Sequence, residues 1–137
     1  MIIVLSLLCS SHVHGAISIT SYGAISDNTS LAVSIANGRA LYLALQAANR
    51  GSFANDTRRV IVPAGGNFSM LPFNSSNSLT DVTLQLDGMI WAWSGNRTAW
   101  PGCAAGGCLN LLQFNDCTRL TLNGSGVIEG NGDPWCV

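Results

Sequence analysis

Two stretches of this chain repeat one plan, and that repeat constrains the fold more than any other feature. Val82-Thr-Leu-Gln-Leu-Asp-Gly-Met-Ile-Trp-Ala92 and Leu120-Thr-Leu-Asn-Gly-Ser-Gly-Val-Ile-Glu-Gly130 each carry an alternating apolar run, a polar-glycine corner and a second short apolar run. Leu84-x-Leu86-Asp-Gly88 aligns with Leu120-x-Leu122-Asn-Gly124, and Met89-Ile90 aligns with Val127-Ile128. Glycine adopts backbone conformations that a side chain forbids, which suits a sharp bend between short buried strands. Strand, corner and strand, used twice, point to a coiled β solenoid. Two separate hairpins remain the alternative, because the matched segments are unequally spaced.

The rest of the chain reads in the same terms. Residues 16–22 read as a strand and residues 27–30 as a turn. Residues 39–49 read as a short helix, with Leu41, Ala44, Leu45 and Ala48 on one face and Gly51 just past its end. An amphipathic helix at a solenoid's end covers unpaired strand edges and an apolar interior. Residues 49–59 form a polar loop, Val60 to Val62 begin the coils, and residues 74–78 are a Ser/Asn turn cluster. Residues 104–107 look like an insertion between coils, after which 109–114 and 120–122 resume the strand pattern. No linker or charge run divides the chain, so residues 16–137 read as one domain or part of one.

Residues 1–15 read as a secretory signal peptide. Met1 to Cys9 is an apolar run shorter than the roughly 20 residues needed to span a bilayer. Small residues follow it, and Val13-His-Gly15 precedes a plausible cut at Ala16. The n-region lacks Lys and Arg, and an apolar strand at the start of a truncated gene product is the alternative. Six Asn-x-Ser/Thr triplets, at Asn28, Asn55, Asn67, Asn74, Asn96 and Asn123, are candidate glycosylation acceptors. Composition alone gives about two such triplets, so the excess also points to a secreted, extracellular protein.

Removal of the signal takes Cys9 away and leaves Cys103, Cys108, Cys117 and Cys136. An even count in a secreted chain favours disulfides, with three possible connectivities. Cys103 and Cys108 lie in a Gly/Ala loop flexible enough to close on itself. Cys117 and Cys136 are then left to pair with each other or with a missing part of a longer parent. A four-thiolate zinc site is disfavoured, because no spacing resembles Cys-x-x-Cys and no histidine survives processing.

The chain has a formal net charge of −1 and no lysine, which excludes a basic surface for nucleic acid. With His12 and His14 both in the signal, a nucleophilic triad lacks its base. Gly124-x-Gly126 precedes an apolar strand rather than a helix, so phosphate-loop chemistry fails too. Glycoside hydrolysis takes two carboxyl groups, and the closely spaced acidic pair beside an aromatic is Glu129 and Asp133. Asp87 and Glu129 precede glycines at expected corners, where a turn role is the default. Arg58 and Arg59 read as a solvated loop pair. No catalytic residue, metal or cofactor is indicated. Trp91, Trp93 and Trp100 read as loop packing against the solenoid flank, or as a platform on which a sugar stacks.

The ordered motifs resemble the N-terminal part of a polygalacturonase, of the family 28 glycoside hydrolases in the pectin-lyase-like superfamily. Ile19-Thr-Ser-Tyr-Gly-Ala24 with Asp27 is similar to the family's opening turn, and Ala40-Leu41-x-x-Ala44-Leu45-x-x-Ala48 to its cap helix. Val60-Ile-Val-Pro-Ala-Gly65 resembles the first full strand, and Leu71 to Ser76 with Val82 to Gly88 the next coil. Gly124 to Trp135 is similar to the glycine-rich signature, with Glu129 and Cys136 where the family has Asp and Trp. Ala36-Asn37-Gly38 replaces the family's Asp-Asp-Thr before the cap helix.

The resemblance implies an all-β fold, a partial right-handed parallel β-helix with a short N-terminal capping helix. It implies a secreted parent that hydrolyses α-1,4-galacturonan in pectin, with pectic polysaccharide as partner, no nucleic acid or membrane partner, and a monomeric state. The family's Asn-Thr-Asp, Asp-Asp, Gly-His-Gly and Arg-Ile-Lys signatures are absent from this sequence. The expectation is therefore an N-terminal fragment, inactive alone and poorly soluble or molten in isolation. A non-catalytic secreted glycan-binding or degenerate solenoid protein is the alternative. Lyases and rhamnogalacturonan hydrolases of related fold would keep the architecture and change the reaction.

Overall fold

The computed structural model describes residues 15–74 and 76–132. Residues 1–14 of the expected signal peptide, Asp133 and Cys136 therefore lie outside the described residues. Short strands in parallel sheets dominate, with one helix near the N-terminus.

The strands are β1 (Ile17–Ser18), β2 (Arg59–Val62), β3 (Asn67–Met70), β4 (Ser76–Asn77), β5 (Thr83–Leu86), β6 (Met89–Ala92), β7 (Phe114–Asn115), β8 (Thr121–Asn123) and β9 (Val127–Glu129). The first sheet runs β1-β2-β5-β8, the second β3-β6-β9, and the third pairs β4 with β7; every pairing is parallel. From β2 onward the chain visits first, second and third sheet in turn, then starts again. A parallel partner cannot be reached through a two-residue hairpin, so hairpins are excluded as the basis of the repeat.

The register corrects the sequence alignment of the two repeats. Leu84 pairs with Leu122, not Leu120, while Met89 pairs with Val127 and Ile90 with Ile128 as aligned. The partners Ser76 and Phe114, Thr80 and Thr118, Thr83 and Thr121, and Met89 and Val127 are all 38 residues apart. The spacing is therefore uniform. The Leu-x-Leu match misled because Leu122 follows Leu120 by two, and a two-residue slip preserves the face of a strand.

Inward positions stack into columns. Val60, Leu84 and Leu122 form one; Phe68, Ile90 and Ile128 form another. Val60, Phe68, Leu84 and Ile90 are buried, as are Leu79 and Val82 beside them. Cys117 and Leu120, 38 residues after Leu79 and Val82, pack partly buried against the same core.

The helix α1 spans Leu31–Asn49, 19 residues rather than the short segment expected from residue 39. Ser30 starts it, its side chain accepting from the Val33 amide, as an N-cap hydroxyl does. Asn37 and Gly38 disguised its first half as a break, since both are poor helix formers. Tertiary contact explains them: Gly38 lies where a Cβ would overlap the Leu71 carbonyl. The expected strand over residues 16–22 shrinks to β1, because Ile19–Tyr22 turns into a 3-10 helix ended by Gly23 at φ 91°. The expected strand over 109–114 reduces to β7, and the turn cluster at 74–78 contains β4.

Candidate functional site: the outer face of the second sheet

Alternation along β6 turns Ile90 and Ala92 inward and Met89 and Trp91 outward. The same alternation in β3 and β9 builds an outer face from two rows: Asn67, Met89 and Val127 in one, Ser69, Trp91 and Glu129 in the other. At Ser69 the row is covered, because its hydroxyl bonds the Ser34 hydroxyl of α1 at 2.8 Å. Trp91 and Glu129 are exposed, side by side on paired strands.

Glu129 is fixed by the turn that follows it. Its Oε1 accepts from the Asn131 amide at 3.0 Å, with Asn131 at φ 49°. The Asn131 side chain donates to the Ala92 carbonyl at the end of β6. The carboxylate is thus tied to the strand that carries Trp91. The sequence assigned Glu129 to a corner, whereas it is the last residue of β9.

The other two tryptophans are placed differently. Trp93 is half-buried and donates its indole N–H to the Thr29 carbonyl at 3.0 Å. Trp100 is 7% exposed, packed with Leu71 and Ala92, and donates to the Leu109 carbonyl at 2.7 Å. Of the three, Trp91 on its outward strand position is the most exposed, at 37%.

A disulfide joins Cys103 and Cys108, as the Gly/Ala loop suggested. It closes the excursion between β6 and β7, with the partly buried Cys103 packed against the Trp100 cluster. Among the sequon asparagines, Asn28, Asn67, Asn74, Asn96 and Asn123 are exposed and Asn55 is half-buried. Asn28 Oδ1 accepts from the Ser30 amide, and Asn96 Oδ1 accepts from both the Thr98 amide and hydroxyl.

The charged side chains mostly hold one another. Arg59 pairs with Asp56 and donates to Gln85, which donates in turn to Asp87. Arg119 pairs with Asp81 across neighbouring coils, both residues in left-handed backbone at φ 53° and 54°. Arg58 lies over the Phe53 ring and donates to the Thr80 carbonyl. The hydrogen bond from Arg59 holds the Asp56 carboxyl below its ordinary range, and the one from Arg119 does the same for Asp81. A general acid in glycoside hydrolysis needs the opposite shift. Among the described residues no cluster of three metal-ligating side chains occurs, and no helix is long and apolar enough to cross a membrane.

No family model matches the chain, and no solved structure matches it. The chain is similar to a probable polygalacturonase of Arabidopsis thaliana, 27% identical over 127 residues. The alignment covers 88% of this chain and 24% of that protein, so the chain spans about a quarter of its relative's length. With the parallel-stranded architecture, this distant and partial match supports a polygalacturonase-like relationship.

Proposed function

We propose that this chain is the N-terminal coil region of a secreted, pectin-degrading glycoside hydrolase of the polygalacturonase type. The observation that carries the reading is the constant 38-residue register of the last two coils, found in a chain whose similarity is to a probable polygalacturonase. Sheets visited in rotation by parallel strands are what a β-helix requires, and parallel crossovers are right-handed in about 98% of cases. In this reading α1 caps the first coil and the Cys103–Cys108 excursion is an insertion between β6 and β7, packed on Leu71, Ala92 and Trp100. The carboxylates that would act as acid and base belong to later coils of the parent. The disulfide and the exposed sequon asparagines fit an oxidising, extracellular setting.

The test is to read the transcript beyond the Val137 codon and assay the longest product for reducing ends released from polygalacturonate. A continuing frame with Asn-Thr-Asp, Asp-Asp, Gly-His-Gly and Arg-Ile-Lys in order, and an active product, is the expected result. Residues 16–137 alone should release none. An active product with a basic, calcium-dependent site would replace hydrolysis with elimination.

A further inference from the structure

We propose that Trp91 and Glu129 form a sugar-binding subsite on the outer face of the second sheet, selective for uncharged, methyl-esterified galacturonate units over free uronate. The proposal rests on the pectin reading above and adds to it a place of contact and a selectivity. Trp91 sits mid-strand in β6, paired on both sides by β3 and β9, so its ring is presented from a rigid base. An aromatic face covers the apolar C–H face of a pyranose at little entropic cost, since only two side-chain torsions are fixed.

Glu129 supplies the polar edge. Adjacent parallel strands stand about 4.8 Å apart, so its carboxylate flanks whatever lies on the neighbouring ring. Oε1 is held by the Asn131 amide and Asn131 is anchored to Ala92. The group therefore accepts hydrogen bonds from sugar hydroxyls in a fixed place. It also repels a second carboxylate there.

A free uronate beside the Glu129 carboxylate gains from a compensating cation. Arg58 is engaged by Phe53 and Thr80, Arg59 by Asp56 and Gln85, and Arg119 by Asp81. No arginine of the chain belongs to the two rows of the second sheet's outer face. Methyl esterification removes the charge and adds an apolar group, and the adjacent row of the same face offers Met89 and Val127 as apolar neighbours.

Calorimetric titration of residues 16–137 at low salt, below the concentration at which sedimentation detects association and with the helical dichroism of α1 present, tests this with short oligogalacturonides fully esterified or fully de-esterified. The esterified ligand should bind about threefold tighter, the scale of an exposed like-charge contact. Glu129→Gln, which keeps the Oε1 acceptor, should close that gap. Trp91→Ala should weaken both ligands about fivefold, with the far-ultraviolet dichroism unchanged. Preference for the de-esterified ligand, or binding indifferent to Trp91→Ala, overturns the subsite and leaves the pectin reading standing. Failure of the folded chain to bind either ligand overturns the subsite; the pectin reading falls if the longest product also releases no reducing ends from polygalacturonate.

Discussion

Asn37 is fully buried, and its side chain closes the open end of the second sheet. Its Oδ1 accepts from the Ile25 amide at 2.8 Å, and its Nδ2 donates to the Ile25 and Ser69 carbonyls at 2.9 and 2.7 Å. The edge of β3 is thereby bonded as if another strand lay beside it, helped by the Asp27 amide on the Asn67 carbonyl. Asn37→Ala removes three bonds and strands buried backbone groups, so it should cost about 2–3 kcal/mol in urea unfolding. Gly38→Ala should be comparably damaging, because its Cβ would overlap the Leu71 carbonyl. Neither role was legible in the sequence. The expected helix began at residue 39 and left Asn37-Gly38 ahead of it, because a helical Asn that serves a distant strand leaves no local signal.

The same scale holds the ion pairs. Asp56 and Asp81 have carboxyls held below the ordinary range, chiefly by the hydrogen bonds from Arg59 and Arg119. A lowered carboxyl stabilises the fold above its unfolded value, and that contribution disappears as pH falls through the folded one. Acid unfolding below the ordinary carboxylate range should therefore be blunted in Asp81→Asn, seen as a shallower loss of thermal midpoint. Both pairs are solvent-exposed, so raised salt should shrink that difference.

Among elements, corners were the most legible and their partners the least. Gly88 and Gly126 stand at equivalent corners, and a Cβ on Gly126 would overlap the Gly88 carbonyl. The sequence showed those glycines but could not show that one corner sits on the other. The β strands Val60–Val62, Leu84–Leu86 and Met89–Ile90 were visible as apolar alternation, since burial on one face writes that pattern. The segment 109–113 carried the same composition without a ladder. There Leu111 and Leu112 pack against the core as a loop, and composition alone cannot separate the two. Trp91 and Glu129 were each noticed, but 38 residues of sequence hid that they are neighbours.

The disulfide makes a prediction at this scale. Cys103–Cys108 closes a loop of short span, so its removal frees the unfolded chain less than the loss of a long-range bridge would. Its effect should stay local. Replacing both cysteines with serine should speed hydrogen exchange between residues 97 and 111 and loosen the packing of Trp100. The amides of β5 and β6, bonded on both sides, should keep their protection.

At the scale of the whole molecule, the two ends of the described stack differ. At the first end α1 and Asn37 cover the core, so Leu41, Ala44 and Leu45 are buried. At the other, Leu122 and Ile128 continue the buried columns of Leu84 and Ile90 yet are 55% and 41% exposed. β8 and β9 are bonded along one edge each among the described residues. Open strand edges beside exposed leucine and isoleucine promote association between molecules. Residues 16–137 should therefore associate with rising concentration and bind a hydrophobic dye, as sedimentation and fluorescence would record. Placing charge on that surface with Leu122→Lys and Ile128→Lys should suppress both, while α1 keeps its helical dichroism. If the charged pair instead unfolds α1, the first coils draw their stability from the last, and cooperativity runs the length of the stack.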